Sequence, residues 1–146
     1  MLAQAIKRRL SKEESQKGFT LIELLAVIVI LGIIAVIAIP LIGNVISNAK
    51  SDSDVATARQ VYDAARLYVI GEEGGDFKTV GKVKVEDIID KGYLDKIYLP
   101  STKEAITSGI VNFNASGQLE DTTATNDAVT LNTTKFSANS VLTAKK

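Results

Sequence analysis

Charge disappears from the chain over one long stretch. No residue from Leu24 to Ala49 is charged, and Phe19 to Ile39 is apolar apart from Thr20, Gly32 and a single carboxylate, Glu23. About 20 apolar residues cross a bilayer as a helix, so this run predicts a membrane-spanning element. Beyond Pro40 the pattern changes. Val55, Ala58, Val61, Tyr62, Ala65, Tyr68 and Val69 recur at three- and four-residue spacing, with Arg59, Asp63 and Arg66 on other faces. That period is an amphipathic helix. One nearly continuous helix is expected from Phe19 to about Ile70, ended by Gly71, Gly74 and Gly75. Ser51-Asp52-Ser53-Asp54 offers caps for a fresh start and hence a bend, and Asp63 and Arg66 are spaced for a weak surface pair.

The apolar stripe on the second half of this helix needs a cover. Glu86 to Lys91 reads as a short helix with acids in its first turn, stopped at Gly92. Tyr93, Leu94, Ile97, Tyr98 and Leu99 supply apolar contacts before Pro100. Ile110 to Phe113 reads as a strand, with Asn114-Ala115-Ser116-Gly117 turning it back near Leu119, and short strands follow at Val129 to Thr134 and Ser137 to Leu142. The fold expected is α+β: a long hydrophobic then amphipathic N-terminal helix, packed on a small antiparallel sheet.

Composition removes whole classes of chemistry. The 146 residues include no His and no Cys. Cys/His zinc sites, Ser-His-Asp and Cys-His nucleophile machinery and disulfides are thereby excluded. The acids are dispersed, so no catalytic residue is expected. The 17 basic and 17 acidic residues cancel, but unevenly: residues 1–18 hold five basic and two acidic side chains, and the remainder is net acidic. Nucleic-acid binding, which needs basic charge on the folded part, is not expected. With the basic cluster before the apolar run, the positive-inside rule puts residues 1–18 in the cytoplasm and the body outside, as a single-pass protein. A cleaved secretory signal fits less well, because its apolar region ends after about 7–15 residues.

Lys17-Gly18-Phe19-Thr20-Leu21-Ile22-Glu23 resembles the junction of type IV pilin-like prepilins, in which a basic leader ends in Gly, an aromatic residue follows, and Thr-Leu-Ile/Val-Glu opens the greasy helix. The resemblance implies three segments: a cleaved leader over 1–18, a transmembrane and filament-core half-helix over 19–40, and an amphipathic half-helix with a small α+β globular part over 41–146. It further implies that a prepilin peptidase cuts between Gly18 and Phe19 and methylates the new Phe19 amine. The processed subunit would leave the cytoplasmic membrane for an extracellular homo-oligomeric filament, driven by an assembly ATPase through an inner-membrane platform protein. Adhesion, twitching motility and DNA uptake are the roles the resemblance attaches to such filaments. A secretion or competence pseudopilin is the alternative within that class. A membrane-anchored surface protein that binds a ligand without polymerising is the alternative outside it.

An ionisable group in a span marks function by default. In the family the carboxylate matching Glu23 pairs with the N-terminal amine of a neighbouring subunit; the competing reading is a side chain that reaches to the nearby interface with no assembly role. Gly18 is either a flexible junction or the cleavage site. Gly32 and Pro40 weaken a helix by backbone entropy and by a missing N–H. They are either tolerated kinks or, by resemblance, bounds of a segment that unwinds in filaments. Many relatives close a C-terminal loop with a disulfide, and the absence of Cys departs from that pattern, which suggests a Gram-positive or otherwise cysteine-poor member.

The remaining signals are weak. Glu120 to Asp127 collects oxygen ligands without EF-hand spacing, and it reads as a solvated polar loop with no metal or cofactor. Asn114-Ala115-Ser116 and Asn132-Thr133-Thr134 fit the glycosylation pattern but read as turn and strand residues.

Overall fold

The computed structural model describes residues 1–14, 18–122, 125 and 127–144. These gather into two compact units, residues 1–44 and 45–146.

In the first unit, α1 covers Leu2–Glu14, and α2 (Leu21–Glu72) begins after a non-helical Gly18-Phe19-Thr20. Among its described residues, no apolar side chain between Phe19 and Asn44 is buried. Pro40 lies inside α2 and leaves the Val36 carbonyl without its usual i+4 amide.

The second unit holds the last part of α2, then α3 (Phe77–Val80), β1 (Lys82–Lys84), α4 (Val85–Asp90), β2 (Gly109–Asn112), β3 (Val129–Leu131), β4 (Thr134–Phe136) and α5 (Ala138–Thr143). The four strands form one antiparallel sheet in sequential order. Register explains its two faces. Val83, Val111, Val129 and Phe136 stand opposite one another across all four strands, and all four are buried. The next row, Lys84, Ile110, Thr130 and Lys135, takes the other face because successive side chains alternate.

The predicted stripe on α2 closes against this row. Val55, Ala58, Val61, Tyr62, Ala65 and Val69 share one core with the sheet, with Val85 and Ile88 of α4, and with Leu99, Ile106 and Val141. Tyr62 stacks toward Phe113 at 5.8 Å, and Phe113 toward Phe77 at 5.3 Å. The Asn114–Gly117 turn sits beside them. A side chain at Gly117 would meet the Phe77 ring at 2.8 Å, and φ there is +77°, so both space and backbone require glycine. Leu99 is buried as expected, whereas Tyr98 stays largely exposed.

Several local expectations are corrected. The helix runs through residues 51–54 without a break: Asp54 is buried and accepts the Ser101 amide at 2.9 Å, so it holds a distant loop where a new helix start was expected. Asp63 pairs with Arg59 at 3.4 Å rather than with Arg66, whose guanidinium lies over the Tyr62 ring. The return near Leu119 is a single bridge to Phe113, not a strand. Residues 138–143 are α5, not a strand, because the Ser137 hydroxyl caps the helix by accepting the Ser140 amide at 3.2 Å. Strand β1, with one apolar residue between two lysines, had no signal of its own.

Candidate assembly and processing segment

Glu23 stands at the start of α2, in the third helical position after Thr20. The Thr20 backbone N–H donates to Glu23 Oε2 at 2.8 Å, the Thr20 hydroxyl donates to the same oxygen at 2.8 Å, and the Glu23 amide donates to Thr20 Oγ1 at 3.3 Å. This is a capping box, in which residue and helix satisfy each other's first orphan donors. The carboxylate is also where a helix N-terminus favours negative charge. Thr20 is a residue the sequence reading passed over, although the Thr-x-x-Glu spacing before an apolar run was its signal.

Gly18 and Phe19 lie immediately before this cap, outside the helix, with Phe19 fully open to its surroundings. Among the described residues nothing comes within 4 Å of where a side chain at Gly18 or at Gly32 would stand, so none of them asks for glycine at either place. Lys17 lies outside the described residues. Phe19 is still joined to Gly18, so it presents a peptide nitrogen to its surroundings and no amine. Gly32 and Pro40 are further along α2 and share no contact with Glu23 among those described.

From Leu24 to Ile46 large apolar side chains point outward all round the helix: Ile28, Leu31, Ile34, Ile37 and Leu41 are each more than half exposed. A helix apolar on every side belongs in lipid or in a protein core. This one is long and apolar enough to cross a membrane.

The prokaryotic N-terminal methylation motif matches residues 15–39. Over 62 residues the chain is 42% identical to a type IV major fimbrial protein FimA of Dichelobacter nodosus, and over 71 residues 39% identical to a type IV major alpha-pilin of Moraxella bovis. Through this segment the chain is similar to type IV pilins. The matches cover 42% and 44% of this chain, and the chain spans only 40% and 45% of the length of these pilin relatives. No solved structure matches the chain significantly. The pilin likeness therefore rests on the methylation motif and α2, together with the α+β arrangement of the second unit.

Away from that segment the second unit spends its polar groups on its own structure. Asp121 Oδ1 accepts the first amide of α5, from Ala138, at 2.7 Å. Asp127 accepts from the hydroxyls of Thr122 and Thr125 and pairs with Lys135 at 3.0 Å. Thr122 and Lys135 together hold its carboxyl below the usual carboxylate range. Residues 123, 124 and 126 of that loop lie outside the described residues. Among the described residues no three acids converge as a metal site would require. Asn114 Oδ1 accepts the Ser116 and Gln118 amides, and Asn132 bridges Thr107, Ser108 and Ala105. Both asparagines of the glycosylation pattern are thus turn-forming residues in this fold.

Proposed function

We propose that this chain is the structural subunit of a type IV pilus. A prepilin peptidase removes residues 1–18 by cutting between Gly18 and Phe19 and methylates the Phe19 amine. Residues 19–40 then anchor the subunit in the cytoplasmic membrane, leader side inward, and later form the filament core, while residues 41–146 are displayed outside. The observation that carries this reading is the methylation motif running into a helix whose apolar surface has no cover among the described residues.

Moving such a helix from lipid to a protein core gains little from apolar burial, because the two media are alike. Assembly then depends on close packing, on charge pairing at Glu23 and on work from an assembly ATPase acting through a platform protein. Glu23 exchanges its bonds to Thr20 for the methylated Phe19 amine of a neighbouring subunit. Gly32 and Pro40 bound the part of α2 with the weakest helical hold, which gives way when subunits pack. No enzymatic step belongs to the chain in this role. Adhesion, twitching motility and DNA uptake are the processes such a filament would serve.

Intact-mass spectrometry on the sheared, pelleted surface fraction tests the proposal. A dominant species beginning at N-methylated Phe19 is the expected result. Processed protein confined to membranes would move the assignment to a pseudopilin, and protein still beginning at Met1 would overturn it.

A further inference from the structure

The leader has a structure of its own. Over the first turns of α1, at about 100° per residue, Leu2 and Ile6 lie within about 40° of one another, while Gln4, Lys7 and Arg8 fall away from them. Every residue from Met1 to Arg8 is exposed, Leu2 at 81% and Ile6 at 55%, so among the described residues nothing covers these two side chains. A helix of 13 residues that leaves its apolar side chains exposed is marginal in water. It needs a surface.

Two observations say which one. Residues 1–18 carry five basic side chains against two acidic ones, which matches an anionic surface. Covalent geometry supplies the second: from Glu14 to Leu21 the backbone can extend at most about 25 Å. If α2 crosses the bilayer, α1 cannot leave the neighbourhood of the lipid headgroups. An amphipathic helix with basic residues beside its apolar face lies in the plane of such an interface.

We propose that α1 is an interfacial helix that lies on an anionic lipid surface, Leu2 and Ile6 inserted and Lys7 and Arg8 among the headgroups. The inference rests on reading α2 as the membrane span. The leader is then a second membrane contact that holds the Gly18–Phe19 junction close to the leaflet until the leader is cut away.

The chain has no Trp, so one introduced indole reports alone. Full-length Ile6→Trp, Gln4→Trp and Leu31→Trp variants are reconstituted into phosphatidylcholine vesicles, with or without about one-third phosphatidylglycerol, using brominated acyl chains as quencher. In anionic vesicles Ile6→Trp should be quenched several-fold more than Gln4→Trp. The difference should collapse in neutral vesicles, at high salt, and in a Lys7→Glu/Arg8→Glu background. Leu31→Trp should be quenched in every case. Equal exposure of Ile6→Trp and Gln4→Trp with Leu31→Trp quenched overturns the interfacial helix and leaves the span standing. Unquenched Leu31→Trp overturns the span and this inference with it, and quenching of Ile6→Trp that ignores lipid charge overturns the anionic surface.

Discussion

Thr20 and Glu23 hold each other through three hydrogen bonds, two of them converging on a single carboxylate oxygen. The acid at the start of the apolar helix therefore has partners within its own chain. Replacing it should separate two steps. Glu23→Leu is expected to leave the cut before Phe19 unchanged and to lower the yield of pelleted filaments at least tenfold. Mass and filament yield are read from the same culture, and wild-type yield would remove the assembly role assigned to Glu23. Thr20→Val, which loses the cap but keeps the acid, should fray the first turn by on the order of 1 kcal/mol, seen as faster amide exchange there.

Asp54 offers a test of the second unit. Its carboxylate is buried and takes the Ser101 amide, so Asp54→Ala leaves that N–H without a partner. A loss of about 1–3 kcal/mol is expected, a fall in Tm of several degrees at least for a unit of this size. Asp54→Asn keeps an acceptor oxygen and should cost less. Thermal unfolding of the full chain in detergent, followed by near-ultraviolet circular dichroism, distinguishes the two variants.

Gly71 and Tyr93 should behave as a coupled pair. A methyl group at Gly71 would collide with the Tyr93 hydroxyl, which donates to Glu72 at 3.2 Å and whose ring meets Tyr68 edge-on at 5.7 Å. Gly71→Ala alone should destabilise by displacing the ring. In a Tyr93→Leu background the same change should stabilise by about 0.5–1 kcal/mol, the ordinary helical gain of Ala over Gly. A sign that does not reverse between the two backgrounds would disprove the steric account.

Acid and base should act through named pairs. The hydrogen bonds from Lys91 and then Tyr93 hold the Glu72 carboxyl below its usual range, Thr79 does so for Asp76, and Thr122 with Lys135 for Asp127. A lowered carboxyl stabilises the fold above its unfolded pKa and loses that contribution as pH falls through the lowered value. The bond to Glu72 raises Lys91 above its ordinary 10.5, so its contribution persists below that value and is lost as pH rises through the raised one. With no His between these ranges, Tm should be nearly flat from about pH 6 to 9. In Lys91→Met the plateau Tm should lie slightly below wild type and the acid-side fall should be shallower, because Glu72 loses its main cause of lowering, and high salt should narrow the difference because the pair is exposed.

What could be read from the chain alone depended on how local each cause is. The buried row Val55, Ala58, Val61, Tyr62, Ala65 and Val69 was legible because a helix repeats its environment every three to four residues, and Val129 and Leu131 because a strand alternates. Strand β1 was not, since Lys82-Val83-Lys84 becomes a strand only when Val83 meets Val111 on β2. The use of Asp54 was hidden for a similar reason: its partner, Ser101, is 47 residues away. Ser137 to Leu142 alternates well enough for a strand, but a hydroxyl capping an amide three residues on decided for helix. At the candidate segment, Glu23 stood out by its charge, and that drew attention away from the shorter-range partnership with Thr20.

The sheet described above has an open side at β1, which presents two lysines around a single inward valine over only three residues. An exposed strand edge invites the edge of an identical copy, and a short edge carrying lysines resists it, because pairing would bring like charges face to face. Wherever many copies of this chain stand side by side, Lys82 and Lys84 guard against accidental fusion of neighbouring sheets. Concentrated chains would then resist aggregation through the β1 edge of the second unit.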